Sequence, residues 1–409
     1  MERSAEYCTF MSTIASVNDP AMDAANHTVH LVILTETDAL ESRVALTPEG
    51  VQALKKEHEA IRITVETGAG EASGYADKEY VEAGAEIGED RKSLAASANL
   101  LLAVNFPPDE VIRGMKKGSA VVSFMWALQH ADRVTMLQEC GVTGVAMDTI
   151  PRISRAQSMD ALSSMSNIAG YRAAIIGADT LNRYMPMMMT AAGTIPPARV
   201  LVLGAGVAGL QAIATAKRLG AIVEAFDVRP VVKEQVESLG ASFVEVPLEE
   251  DEGDTETKGG YAKELSDRNK AKQQEVVHER VKKSDIVITT ALIPGRPAPK
   301  LVTRAMVEDM KSGSVVVDIA AEQGGNCELT VPGETISHHG VMVSGPLNLP
   351  STLANHASKL YSKNILSLLK LMLKESTLVF PFDDEIVLNA TVTHEGELVS
   401  PFVKEHTAS

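Results

Sequence analysis

The 409 residues, 45% hydrophobic and 22% charged, suffice for two or three domains with substantial cores. A formal net charge of −16 without clustered Lys and Arg excludes nucleic acid as a partner. Cys8, Cys140 and Cys327 stand far apart with no CxxC or zinc spacing, which fits a reducing compartment and leaves no metal site to expect. Few aromatic residues beside many Gly and Met point to an interior of small and aliphatic side chains, the composition of parallel α/β sheets.

Residues 1–27 carry Glu2, Glu6, Asp19 and Asp23 with Arg3 as the single Lys or Arg, and read as a disordered tail rather than a signal or transit peptide. From Thr28 to Thr149, short apolar runs alternate with segments of helical period: Val29–Leu34, Pro48–Lys56, Ile61–Thr67, Leu100–Val104, Ala120–Phe124 and Val142–Asp148. This is the rhythm of a doubly wound parallel sheet. A polar stretch, 148–160, precedes a helix from Ala161 to about Tyr184, and Pro186, Gly193, Pro196 and Pro197 then punctuate the chain as a boundary segment. Met185 and Met187 to Met189 suit core or dimer packing, or an adaptable contact surface.

A second block of predicted strands follows at Val200–Leu203, Ile222–Phe226, Ser242–Val246, Asp285–Thr289, Ser314–Asp318 and Val341–Val343. A helix from Ser351 to about Lys374 should return to the first domain. The expected division is therefore 28–163 with 352–409 as a discontinuous first α/β domain and 164–351 as a second, two Rossmann-like domains with a cleft between them. The acidic segment about 249–270 has no apolar periodicity and reads as a mobile loop. No apolar stretch reaches membrane-spanning length, since Leu366–Phe380 is interrupted by Lys370, Lys374 and Glu375.

The predicted strand Arg199–Leu203 runs into Gly204-Ala205-Gly206-Val207-Ala208-Gly209 and a helix. Gly204 suits the tight turn, Gly206 lets a pyrophosphate approach, Gly209 permits close helix–strand packing, and the helix N-terminus offers partial positive charge. Asp227, followed by Val228 and Arg229, ends the next strand, where a carboxylate accepts from ribose hydroxyls and repels a 2′-phosphate. NAD is thus expected over NADP, although Arg229 works against that preference. Thr289, Ala291 and Leu292 end another strand at the same sheet edge and either lie along the cofactor or are merely strand ends. Gly68-Ala-Gly70-Glu-Ala-Ser-Gly74 has the wrong spacing, and Glu71 would face the phosphates, so it reads as a strand–helix turn.

Four runs resemble the NAD(H)-binding alpha subunit, domain I, of proton-translocating NAD(P) transhydrogenase, a relative of alanine dehydrogenase. They are Pro151-Arg-Ile-Ser-Arg-Ala-Gln-Ser-Met-Asp160, Asn167-Ile-Ala-Gly-Tyr-Arg172, Met187-Met-Met-Thr-Ala-Ala-Gly-Thr-Ile-Pro-Pro-Ala-Arg199 and Gly259-Gly-Tyr-Ala-Lys-Glu264. The resemblance covers about residues 28 to 385. It implies that Arg152, Gln157, Asp160 and Ser163 position the nicotinamide; without it, Ser158 or Asp160 would read as a helix cap. It also implies that Gly260 and Tyr261 belong to a loop closing over nucleotide. The implied activity is direct hydride transfer between NAD(H) here and NADP(H) on a partner beta subunit, of the Si-specific/Re-specific type. Membrane-spanning subunits would couple it to proton translocation. A homodimer, peripheral on the cytoplasmic side of the membrane and not inserted into it, is the corresponding expectation.

Two other readings stand beside it: an alanine-dehydrogenase-like oxidoreductase and a non-catalytic NAD(H)-sensing module. Carbonyl chemistry needs a proton donor. The resemblance to alanine dehydrogenase sets Ala103 at that family's catalytic Lys and Trp126 at its His, while Arg43 resembles its carboxylate-binding Arg. His130 and His356 fall in no matched catalytic run.

Overall fold

The computed structural model describes residues 29–246, 267–293 and 296–407. The expected tail, Gly260, Tyr261 and most of the acidic loop lie outside them. The protein is α/β with two parallel-stranded domains. Strands β1 (His30–Ile33), β2 (Arg62–Glu66), β3 (Glu86–Gly88), β4 (Leu100–Asn105), β5 (Ala120–Phe124) and β6 (Thr143–Ala146) build the first sheet. A two-stranded hairpin, β7 (Met188–Thr190) and β8 (Gly193–Ile195), precedes the second. That second sheet uses β9 (Arg199–Leu203), β10 (Ile222–Phe226), β11 (Ser242–Phe243), β12 (Ile286–Thr289), β13 (Val315–Asp318), β14 (Thr335–His338) and β15 (Val341–Ser344). After a short pair, β16 (Leu373–Lys374) and β17 (Thr377–Leu378), the strands β18 (Thr391–His394) and β19 (Glu397–Leu398) close the chain's strand content among the described residues.

The first sheet runs β19-β18-β6-β5-β4-β1-β2-β3 and the second β11-β10-β9-β12-β13-β15-β14. Both contain the same winding: from the first strand the chain moves one way through two neighbours, then returns to the other side. Each sheet therefore has a switch point, between β1 and β4 in the first and between β9 and β12 in the second, where crossovers leave in opposite directions. Strands β4 and β5 are apolar runs buried on both faces, which only a sheet covered by helices on each side can accommodate. Antiparallel β18 and β19 extend the first sheet beyond β6, and antiparallel β14 edges the second.

Three helices set how the sheets meet: α1 (Ala161–Thr180), α2 (Val207–Arg218) and, near the C-terminus, one spanning Ala354–Met372. Helix α1 gives Met165 and Ile168 to the first core and Ala169, Ala173 and Ala174 to the second. Gly170 makes its approach to α2 possible, because a Cβ there would stand 2.0 Å from the Ala208 carbonyl oxygen. The helix Ala354–Met372 buries Ala357, Tyr361, Ile365 and Leu368 in the first core.

The boundary segment differs from its sequence reading. Its prolines flank the β7–β8 hairpin, on which Met187, Met189 and Ile195 are exposed, at 56%, 73% and 45%. Met185 alone of the named methionines is buried among the second core. The Gly68 to Gly74 run forms a turn and a short 3₁₀ helix, Glu71–Ser73, before the next helix.

Candidate functional site

At the second switch point β9 leads into Gly204, whose φ of 100° belongs to the region that glycine adopts without strain. A Cβ there would meet Thr290 Oγ1 at 2.5 Å, and one on Gly209 would lie 1.9 Å from the Gly204 carbonyl oxygen. Nothing lies within 4 Å of where a Cβ on Gly206 would be. Gly204 and Gly209 are thus demanded by packing, whereas Gly206 faces open space at the N-terminus of α2. Val207 and Ala208 already belong to that helix, Val207 being exposed. Unhindered backbone there, with the positive end of a helix, fits a dinucleotide pyrophosphate.

Asp227 follows β10, and its side chain is 6% exposed. Its Oδ2 accepts from Ala205 N at 2.7 Å, and Oδ1 accepts from Arg229 N at 2.9 Å. The Arg229 guanidinium then caps both oxygens, Nε to Oδ1 and Nη2 to Oδ2, each at 3.0 Å. The carboxylate stands where the sequence reading puts it, but its acceptor capacity is already engaged. Arg229 must move for ribose hydroxyls to reach it. Val228 is partly buried against the apolar layer beneath.

The β12 end separates the three residues proposed to lie along the cofactor. Thr289 is fully buried and donates to Asp318 Oδ1 at 2.9 Å, so its hydroxyl braces Asp318. Ala291 is half-buried and Leu292 exposed. The sequence reading passes over Asn326, yet this side chain brackets Ala291: Oδ1 accepts from Ala291 N at 3.0 Å, and Nδ2 donates to Ala291 O at 2.8 Å. Asp318 also accepts from Cys327 N and Thr330 Oγ1. Its neighbour Gly325, at φ 76°, has no room for a Cβ beside Asp318 Oδ2, which is the signal in the Gly324-Gly325-Asn326 run.

Of the four residues assigned to the nicotinamide loop, Asp160 and Ser163 meet. Asp160 Oδ1 accepts from Ser163 N at 2.8 Å and Oδ2 from Ser163 Oγ at 2.6 Å, an N-cap of α1. Arg152 and Gln157 are exposed on the preceding segment, Gln157 in the 3₁₀ helix Ser154–Met159. Arg155 is held by Asp384. The segment leads through α1 to the glycine turn, since Asn167 Nδ2 donates to Gln211 Oε1 of α2 at 3.1 Å.

At the first switch point, the ends of β1, β4 and β5 surround a cleft of about 270 Å³ lined by Glu36, Arg91, Ala103, Asn105, Trp126 and Arg133 among others. Trp126 adopts φ 51°, stacks on Phe124, and is held by Asp148, whose oxygens accept from Met125 N and Trp126 N. Burial pushes the Glu36 carboxyl up to about 7, although both oxygens accept backbone N–H groups, from Val104 and Asn105. Arg43 is not among the residues lining this cleft. It is buried in an ion pair with Glu41, Nη2 to Oε2 at 2.5 Å. His356 is exposed and His130 half-buried, outside the described glycine site.

The family described as "Alanine dehydrogenase/PNT, N-terminal domain" matches residues 32–169, and "Alanine dehydrogenase/PNT, C-terminal domain" matches 173–401. NAD(P) transhydrogenase subunit alpha of Cereibacter sphaeroides is 47% identical over 365 residues, covering 88% of this chain and 69% of that protein. An alanine dehydrogenase of Mycolicibacterium smegmatis is 31% identical over 379 residues, covering 91% and 95%. The crystal structure of transhydrogenase from Sinorhizobium meliloti superposes with a TM-score of 0.78 at 43% identity, covering 91% of this chain and 99% of that one. The chain belongs to the alanine dehydrogenase/PNT family, among its NAD(P) transhydrogenase alpha subunits.

Proposed function

We propose that this chain binds NAD(H) at the Gly204–Gly209 turn and exchanges hydride directly with NADP(H) held on a separate beta subunit. Membrane-spanning partner subunits would carry the coupled proton translocation. What supports this most is the first-domain cleft, which Ala103 and Trp126 line; by the resemblance to alanine dehydrogenase these two stand where that family carries its proton donors. Transfer of a hydride between two nicotinamides needs no protein acid or base.

Bound NAD(H) supplies the hydride donor or acceptor at its nicotinamide C4. The chain's residues bind and orient it: the backbone at Gly206 and the start of α2 for the pyrophosphate, Asp227 for the ribose once Arg229 yields, and Arg152, Gln157, Asp160 and Ser163 around the nicotinamide. Gly260 and Tyr261 would close over the site. Positioning at about 3 to 3.5 Å with water excluded is then the whole of catalysis. We place the domain division at 28–163 with 352–409, and 164–351. A homodimer fits the exposed Met187, Met189 and Ile195 of the β7–β8 hairpin. Among the described residues no helix is long and apolar enough to cross a membrane; the peripheral place on partner subunits follows from the proposed assembly.

Glu36, a carboxyl in the cleft pushed up to about 7, favours one second reading, an alanine-dehydrogenase-like activity with Glu36 as acid. The purified chain, mixed with a transhydrogenase NADP(H)-binding domain, should catalyse reduction of an NAD analogue by NADPH. Pyruvate-and-ammonia-dependent oxidation of NADH by the chain alone would establish the second reading instead. Tight NADH binding with neither activity would leave an NAD(H)-sensing module.

A further inference from the structure

The β14–β15 hairpin turns through His338-His339-Gly340, remote in sequence from the Gly204–Gly209 turn and Asp227. A two-residue turn of this kind needs positive φ at both central positions, and His339 at 50° and Gly340 at 78° supply it. The turn sets two successive imidazoles side by side, with ring centroids 4.7 Å apart and planes inclined by 20°. A short helix, Arg304–Glu308, ends against the same hairpin and brings Glu308 Oε1 within 2.9 Å of His338 Nε2. One donor atom from each of Glu308, His338 and His339 lies within 4.8 Å of the other two. A zinc ion held at about 2.1 Å spaces tetrahedral donors roughly 3.4 Å apart, so small side-chain rotations suffice to bring all three onto one ion.

We propose that Glu308, His338 and His339 form a binding site for a divalent transition metal, with zinc the ion it fits best. Two imidazoles and one carboxylate suit zinc, copper or nickel, whereas magnesium and calcium require oxygen donors. Glu308 and His339 are exposed and His338 is half-buried, so water completes the coordination and little apolar surface needs rearrangement. The hydrogen bond between His338 and Glu308 already aligns two of the donors. Bound metal would replace that bond with a stronger tie between the short helix and the hairpin. This turn precedes β15, at the amino edge of the second sheet, while Gly204 follows β9 at the carboxyl edge. The metal therefore braces the outer hairpin without entering the dinucleotide site. Cysteine spacing gives no hint of it, because its donors come from segments that only the fold unites.

Calorimetric titration of the full chain with zinc chloride, beside magnesium chloride, tests the site. One saturable zinc equivalent with Kd of about 10 μM or tighter is expected, with a rise in Tm and no magnesium binding. His338→Gln and His339→Asn should each weaken zinc at least about tenfold; Asn tolerates the left-handed backbone, so the turn survives. His278→Gln, removing the neighbouring partner of Asp309, should leave zinc binding intact. Unchanged NADH affinity in each variant shows that it folds. Absence of a saturable equivalent overturns the proposal, as does zinc binding that survives in the His338→Gln, His339→Asn double variant.

Discussion

Arg229 grips Asp227 at both carboxylate oxygens, with Nε and Nη2 each 3.0 Å from an acceptor. The residue that should select NAD is thereby coupled to one that could receive a 2′-phosphate. Asp227→Ala removes the acceptor for ribose, removes the charge that repels phosphate, and separates Arg229 from its carboxylate. NADH affinity should fall about tenfold or more, while NADPH affinity holds or rises. Arg229→Ala leaves Asp227 bonded to Ala205 N and should keep NADH within about threefold. Fluorescence titrations with both nucleotides check this, and an equal loss for both in Asp227→Ala would remove Asp227 as the discriminator.

The three glycines of the turn have different physical reasons, and alanine separates them. In Gly209→Ala the new Cβ would stand 1.9 Å from a backbone oxygen that cannot rotate away, so we expect destabilisation of about 2 to 4 kcal/mol. In Gly206→Ala the methyl enters open space, so Tm should stay within about 2 °C while NADH binding weakens at least about tenfold. Thermal melts paired with NADH titrations distinguish them. Gly206→Ala with unaltered NADH affinity would show that the pyrophosphate lies elsewhere.

Much of the fold is legible because parallel strands buried on both faces advertise themselves. Leu100–Val104, and Ala120–Phe124 with Ser123 alone breaking it, read as apolar runs and form strands. Short, exposed strands carry no such pattern, and β7, β8 and β14 do not stand out among Met, Thr and Gly residues with little burial. The glycine turn and Asp227 are legible because local backbone chemistry fixes them. The roles of Asn326 and Asp318 depend on contacts between strand ends remote in sequence. So does the burial of Thr289, whose place at a strand terminus does not reveal which way its hydroxyl turns.

Asp148 gives a pH signature. Burial raises its carboxyl to about 6, outweighing the hydrogen bonds from Met125 N and Trp126 N that favour the ionised form. A carboxyl whose folded pKa exceeds its unfolded value of 3.8 holds its proton more tightly when folded. Its contribution to stability is full below pH 4 and is lost as pH rises through about 6. Asp148→Asn abolishes this titration. The stability of the wild type minus that of the variant, from urea unfolding, should therefore fall by about 2 to 3 kcal/mol between pH 4 and pH 7. A difference independent of pH would place the Asp148 carboxyl at an ordinary pKa.

Arg43 matches a carboxylate-binding residue by resemblance, yet its guanidinium is closed off by Glu41, with Nε to Oε1 at 2.7 Å and Nη2 to Oε2 at 2.5 Å. Asn105 and Asn348 donate to the same Glu41, so the pair ties the first sheet to the segment after β15. Burial opposes ionisation of Glu41, but the hydrogen bonds and charge of Arg43 outweigh it and hold the carboxyl below its usual range. Arg43→Ala should then act on stability, costing about 3 to 5 kcal/mol by leaving a buried carboxylate without its cation. Replacing both members, Arg43→Met with Glu41→Leu, should recover part of that loss, since no uncompensated charge remains. Urea unfolding of the two variants measures this. Were Arg43 instead held for a substrate carboxylate, Arg43→Ala would leave stability within about 0.5 kcal/mol and abolish pyruvate-dependent oxidation of NADH.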